Sequence, residues 1–210
     1  MGLASYPIRD TFSGMRLDEK GFHNDVVRLD MLEEGDRARL EVSDAVQSMW
    51  DWLPVIPKGT NFHAYVDFML AMKKQGSIIP FSITRQSDDA FAGVIAYLDV
   101  SRTHRRVGIG YVWHPPEMRG TVVPVATQMA MIGRAFGARM RRIEFPIAAG
   151  NERAIRALER LGARQEGVLR RYMRLADGSW SDLAILSLVD AEIRAAVDLL
   201  KDRVAQMQLA

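Results

Sequence analysis

The stretch from Tyr111 to Leu161 decides the fold, and it reads YVWHPPEMRGTVVPVATQMAMIGRAFGARMRRIEFPIAAGNERAIRALERL. Its pattern predicts a strand over 107–113, a turn around Arg119-Gly120-Thr121, a helix, a second strand over 142–147, and a helix opened by Asn151. Free backbone N–H groups at the start of a helix form an anion-binding site. We therefore predict that the turn before the first of these helices binds a phosphate group.

The flanking sequence predicts the rest of one sheet. Runs at 78–84 and 91–98 precede the strand over 107–113 and indicate an antiparallel meander. Two short strands, at 15–17 and 26–29, and two helices capped by Asp36 and Thr60 come before it. Asp177-Gly178 separates two later strands as a hairpin turn, and a helix with one apolar stripe follows Asp190.

These elements predict a single α/β (α+β) domain with a mixed, mostly antiparallel twisted sheet flanked by helices. We expect residues 1–14 to form a loosely ordered arm, 15–189 the domain, and 190–210 a C-terminal helical extension. The apolar stripe of that extension suggests a dimerisation or partner surface, so we expect a possible homodimer.

Composition excludes several function classes. The net charge is +2, which argues against a nucleic-acid partner. There is no cysteine, and the 4 histidines lack ligand spacing, so we expect neither a thiolate nucleophile nor a metal. No apolar run approaches the roughly 20 residues that span a bilayer, so we expect a cytoplasmic protein without membrane contact.

Several short motifs share an order that resembles the GNAT acetyltransferase superfamily, and within it the RimJ/RimL-type N-acetyltransferases. In chain order they are Arg28-Leu29, Trp50-Asp51-Trp52-Leu53-Pro54, Pro80-Phe81-Ser82-Ile83, Gly108-Ile109-Gly110-Tyr111, Arg119-Gly120-Thr121, Asn151-Glu152-Arg153, Leu161-Gly162-Ala163 and Gly167-Val168-Leu169-Arg170. The resemblance covers roughly residues 15–188.

This resemblance implies the GNAT fold and an acyl-CoA bound where two strands splay apart. It implies transfer of an acetyl group from acetyl-CoA to a primary amine, either a protein N-terminus or a small amine. The cofactor-binding residues that it suggests are Tyr111, Val112, Trp113, Met118, Arg119, Gly120, Thr121, Val122, Val123, Pro124, Asn151, Arg153 and Arg156.

Four residues are candidates for catalysis: Asn151, Tyr172, His114 and Glu117. Asn151 would contact the cofactor or the reacting centre, although Asn is also a common helix cap. Tyr172 could donate a proton to the leaving thiolate. His114 and Glu117 flank the turn and could act as a base, directly or through water, if they are not simply solvated loop residues.

Trp50 and Trp52 are candidates for the acceptor pocket, with an ordinary core position as the alternative.

The chain departs from the family pattern at three positions. Val122 stands where the glycine turn usually has a small residue, and a β-branched residue disfavours positive φ. Ala154 and Leu158 stand where relatives carry a serine or a tyrosine as acid. These departures support an alternative function, a catalytically impaired GNAT-fold module that binds CoA or another protein.

Overall fold

The protein forms a single twisted sheet with helices on both faces. In the computed structural model the described residues are 15–41, 52, 62–175 and 177–209. The sheet order is β1-β2-β3-β4-β5-β6-β8-β7, and every neighbouring pair is antiparallel except β5 with β6. The predicted mixed, mostly antiparallel sheet is confirmed.

The strands of the sheet are as follows: β1 Gly21–His23, β2 Val27–Met31, β3 Ile78–Arg85, β4 Phe91–Ser101, β5 Arg106–Trp113, β6 Arg142–Ala148, β7 Arg164–Arg174 and β8 Trp180–Val189. The helices are α1 Arg37–Glu41, α2 Phe62–Lys74, α3 Val122–Gly137, α4 Glu152–Glu159 and α5 Ala191–Leu209. Within the described residues, none of these helices has the length and apolarity needed to cross a membrane.

Alternating residues of β4 build two cores, because successive side chains of a strand point to opposite faces. Ile95 and Tyr97 belong to the larger core, which contains the buried faces of α3 and α5. Val94 and Ala96 belong to the smaller core, under α2. The sheet therefore separates the α3 side of the molecule from the α2 side.

The strand predicted over 15–17 is wrong. Leu17 is buried in the larger core, but the backbone there forms a turn in which Glu19 accepts a hydrogen bond from the Arg16 N–H at 3.2 Å. The first strand is β1, which pairs Phe22 with Leu29. A local side chain acceptor therefore outweighs the apolar pattern at this point.

The apolar stripe of α5 is not available to a partner. Ile193, Val197, Leu200 and Val204 are buried in the larger core, where α5 packs against α3. The stripe that suggested a dimerisation surface is therefore covered by the chain itself, and that interpretation of it is wrong.

Candidate functional site

Strands β5 and β6 splay apart and leave a cleft in the middle of the sheet. They pair only at Arg106 with Arg142, Val107 with Ile143 and Gly108 with Glu144. Beyond these pairs β5 continues to Trp113 and β6 to Ala148 without pairing to each other. The edge of β5 over 109–113 therefore presents backbone groups to a ligand rather than to β6.

Ion pairs surround the closed end of this cleft. Glu144 contacts the guanidinium groups of Arg142, at 2.6 Å, and Arg106, at 3.9 Å. Arg142 also donates to Glu166 of β7 at 2.7 Å, and Ser187 of β8 donates to the same carboxylate at 2.6 Å. These bonds lower the pKa of Glu166 to about 2, the Arg142 hydrogen bond being the largest cause. They link β5, β6, β8 and β7 where the splay begins.

A bulge in β5 orients its open half. The register between β4 and β5 shifts between Val94 and Ala96, and Tyr111 has a φ of 51°. The Tyr111 ring packs edge-on against Phe68 of α2 with ring centroids 5.7 Å apart. Burial is the main cause that raises the pKa of the Tyr111 hydroxyl. Tyr111 therefore fastens the strand to α2, while Val112 beside it is exposed.

His114, at the end of β5, is buried and not a solvated loop residue. Its side chain is 8% exposed and Nδ1 lies 2.7 Å from the Ala92 carbonyl oxygen. Burial lowers the pKa of His114 to about 4. Gly93, with a φ of 131°, lies so close that a Cβ there would be 2.0 Å from the Trp113 carbonyl oxygen and 3.1 Å from His114.

The turn that we predicted to bind a phosphate lies between β5 and α3. A 3₁₀ helix, Pro116–Met118, leads to Gly120, which has a φ of 78°. Thr121 caps α3 by accepting a hydrogen bond from the Val123 N–H at 3.2 Å. Within the described residues, no acceptor is recorded for the N–H groups of Gly120 and Val122. The turn therefore offers two free donors at a helix N-terminus.

The strain expected at Val122 does not arise. The positive φ falls on Gly120, whereas Val122 is the first residue of α3 and has no positive φ. Pro124 lies in the first helical turn, where its missing N–H leaves no helical bond unmade. Arg119 is held beside the turn because its Nε donates to the His114 carbonyl oxygen at 3.0 Å.

Asn151 lies in the loop that leaves β6 and opens α4. Its Oδ1 accepts a hydrogen bond from the Ala154 N–H at 3.2 Å, so the residue caps α4. Within the described residues, no acceptor is recorded for its Nδ2 group, which leaves one side-chain donor for a ligand. Leu158, where relatives carry a tyrosine, is buried in the larger core.

Trp52 lies against this loop, whereas Trp50 lies outside the described residues. An ideal Cβ on Gly150 would be 2.8 Å from Cζ3 of the Trp52 ring. Trp52 is 43% exposed, so it is not the ordinary core residue that was the alternative. The ring therefore lies beside Gly150, the residue before Asn151.

The other predicted site residues lie further from the cleft between β5 and β6. Glu117 is exposed in the 3₁₀ helix before α3. Arg156 pairs with Glu152 at 3.0 Å, and Arg153 has no recorded ion pair within the described residues. Tyr172 is 61% exposed on β7, with β6 and β8 between it and β5. The structure does not bring Tyr172 to the strand cleft.

An open groove of about 690 Å³ lies beside the Asn151 loop, between β7 and the start of β8. Its lining includes Tyr172 and also Asp182, which the sequence did not point to. The Asp182 carbonyl accepts a hydrogen bond from the Ala149 N–H at 2.9 Å, and this bond ties the groove to the loop. No motif marks Asp182, because its role depends on a loop contact from 33 positions earlier. No cluster that could hold a metal occurs among the described residues.

Comparisons with known proteins agree with this geometry. The family model for the acetyltransferase (GNAT) domain matches residues 27–164. The uncharacterized N-acetyltransferase YoaA of Bacillus subtilis (strain 168) is 32% identical over 122 residues, which are 57% of this chain and 66% of that protein. The match thus spans just under two thirds of this relative.

Two solved structures show the same fold at low sequence identity. A GCN5-related N-acetyltransferase from Brucella melitensis has a TM-score of 0.80 and 21% identity, covering 92% of this chain and 90% of its own. RimJ of Mycobacterium smegmatis, in complex with CoA-disulfide, has a TM-score of 0.69 and 23% identity, covering 84% of this chain and 88% of its own. With the splayed strands, the anion turn and the family match together, the chain belongs to the GNAT acetyltransferase family.

Proposed function

We propose that the protein is an N-acetyltransferase that transfers an acetyl group from acetyl-CoA to a primary amine. The observation that carries the proposal is the open edge of β5 leading into the turn with free N–H groups at Gly120 and Val122. An extended pantetheine chain needs partners for its amides, and a pyrophosphate needs donors at a helix N-terminus. Both needs are met along one continuous path of backbone.

In the proposed reaction the neutral amine attacks the thioester carbonyl carbon, the C–S bond breaks, and the CoA thiolate leaves. The amine nitrogen loses one proton and the thiolate gains one, so the products are an amide and free CoA. Holding the two reactants together can supply about 7–11 kcal/mol of the barrier. Transfer in this scheme is direct, and the chain has no cysteine that would form a thioester with the acyl group.

The proton that leaves the amine passes to Glu117 or to water in this scheme. His114 is a poor base at neutral pH, because burial keeps it neutral with a pKa of about 4 and its Nδ1 is engaged with Ala92. Asn151 contributes the donor of its Nδ2 group, since Oδ1 is used in the helix cap. Tyr172 remains a candidate acid that would have to act from the groove side.

Calorimetric titration of the protein with acetyl-CoA tests the cofactor site. We expect micromolar binding, and absence of binding at millimolar acetyl-CoA would overturn the proposal. Val122→Pro removes one free N–H, and the extended Thr121 before it (φ −85°, ψ −179°) accommodates a following proline. We expect the Kd to rise about tenfold, as for one charge-assisted hydrogen bond. Val122→Ala, which keeps the N–H, is the matched control.

A second candidate function is a module that binds CoA without turnover. Ala154 and Leu158 favour it, because neither supplies an acid and Leu158 faces the core. Release of free thiol in the presence of a panel of primary amines separates the two. A protein that binds acetyl-CoA but releases no thiol beyond the hydrolysis background with any amine is the module.

Location and assembly complete the proposal. We infer a cytoplasmic homodimer of RimJ/RimL type, as the sequence resemblance suggests. With the α5 stripe covered, we place the contact on exposed apolar side chains of the β7–β8 hairpin outside the groove, Val168 and Trp180. Light scattering of the protein beside a Trp180→Lys variant tests this contact, and a monomeric wild type at high concentration would exclude it.

A further inference from the structure

The groove beside the Asn151 loop has an uneven distribution of charge. Its lining residues are Leu169, Arg170, Arg171, Tyr172 and Asp182. Within the described residues, neither arginine has a recorded ion pair, although most other arginines of the sheet do. Two guanidinium groups thus line the groove with a single carboxylate, Asp182, and neither has a recorded ion pair with it among the described residues.

Asp182 does not offset this charge fully. One carboxylate oxygen, Oδ1, accepts a hydrogen bond from the Arg171 N–H at 2.7 Å, so the side chain is used to hold the β7 backbone. Arg171 has a φ of 48° at a register shift between Leu169 and Met173. The bulge and its carboxylate acceptor fix consecutive arginines at the groove instead of letting them alternate across the strand.

One backbone hydrogen bond ties the groove to the loop that holds the reacting centre in the proposed function. Asp182 binds the Ala149 N–H through its carbonyl oxygen, one residue before Gly150, against which the exposed Trp52 ring lies. A molecule whose amine is near Asn151 and which reaches past Asp182 can therefore place its remaining atoms among the arginines, beside the Tyr172 ring.

We propose that this groove selects an acceptor amine that carries a carboxylate close to the amine, and that Arg170 and Arg171 bind that carboxylate. The proposal rests on the proposed acetyltransferase function and names its substrate class. A guanidinium group presents a planar set of donors that matches a carboxylate. A polyamine would place like charges beside the two arginines and is disfavoured.

The carboxylate can come from a free amino acid or from an acidic side chain near a peptide N-terminus, and two pairs of acceptors distinguish these sources. Alanine against alaninamide tests the α-carboxylate. The tripeptide amides Ala-Asp-Ala and Ala-Asn-Ala differ only in a side-chain carboxylate. We expect the anionic member of one pair to have a kcat/KM, expressed per concentration of neutral amine, about tenfold higher, as for one hydrogen bond to a charged group. Spermidine should react more slowly than either member of the preferred pair.

Substitutions of the two arginines test whether the groove causes the preference for the anionic acceptor. Arg170→Gln and Arg171→Gln should each reduce the preference for the anionic member, and Arg170→Glu should shift it toward the neutral one. Arg203→Gln removes an exposed arginine of α5 without a recorded ion pair in the described residues, and it should leave the preference unchanged. Thermal melts confirm that each variant is folded. A preference for the neutral member in both pairs, or one that the Gln variants do not alter, overturns the proposal.

A binding measurement keeps this test separate from turnover. The N-acetylated forms of the same four compounds are titrated into the protein in the presence of CoA. If no amine reacts, the proposed function fails, but tighter binding of an N-acetylated carboxylate than of its amide still supports the groove assignment. Equal or undetectable binding of both members in both pairs overturns it.

Discussion

Replacing Gly93 by alanine should disrupt the end of β5 and with it the start of the anion turn. An alanine Cβ would lie 2.0 Å from the Trp113 carbonyl oxygen, about 1 Å closer than real Cβ contacts, and the obstacle is backbone. The φ of 131° adds strain. Strain costs about 1–3 kcal/mol and overpacking a further 1–3 kcal/mol or so. We therefore expect a loss of about 2–6 kcal/mol in the free energy of unfolding.

Two other glycines separate the causes. Gly162, with a φ of 89° and open space around it, isolates backbone strain, and alanine there should cost about 1–2 kcal/mol. Gly133, inside α3 with open space, should gain about 0.5–1 kcal/mol as alanine. Urea unfolding of the three variants measures all three values. In a chain of this size Gly93→Ala should lower Tm by about 5–20 °C, and a loss no larger than that of Gly162→Ala would refute the reasoning.

Three further predictions concern buried or paired charges. Arg134→Met should destabilise by about 2–3 kcal/mol, because the guanidinium group is buried 4.5 Å from the Phe22 ring centroid; a Tm within 2 °C or so of wild type in calorimetry would contradict this. The pKa of Glu166 is lowered from 4.5 to about 2, so its bond to Arg142 stabilises the fold above pH 4.5 and this stabilisation is lost as the pH falls toward 2. In Glu166→Gln the free energy of unfolding in urea should therefore depend less on pH between 4.5 and 2, and an unchanged pH dependence would exclude the pair as the cause. The pKa of His114 is lowered from 6.5 to about 4, so the unfolded chain binds more protons than the folded chain between these pH values. The free energy of unfolding should therefore rise from pH 4 to 6.5. His114→Asn, which keeps a hydrogen-bond donor, should lose that rise, and the same rise in the variant would assign it to another group.

The order of strands and helices could be predicted from the sequence because helix caps and turn residues are local features of it. Thr121 and Asn151 cap their helices as their residue types suggest, and Gly120 supplies the positive φ of the turn. The sheet class followed from short turns between consecutive strands. The family resemblance rested on the same local features.

Tertiary contacts decided what the sequence could not show. His114 looked exposed because a histidine before two prolines has loop character, yet it is buried against Gly93 and its Nδ1 lies 2.7 Å from the Ala92 carbonyl oxygen. The apolar stripe of α5 looked free because the sequence of α5 alone does not show that α3 packs against it. Asp182 and Trp52 reach the Asn151 loop across long sequence separations, and such contacts leave no local pattern.

The splay of β5 from β6 has a consequence for what can enter the sheet. At Gly108 and Glu144 the strands are still paired, at about the usual 4.8 Å spacing, and beyond these residues β5 and β6 no longer pair with each other. A wedge of this kind sorts molecules by thickness. Only a slender, extended chain fits the narrow end, while bulky groups stop at the mouth.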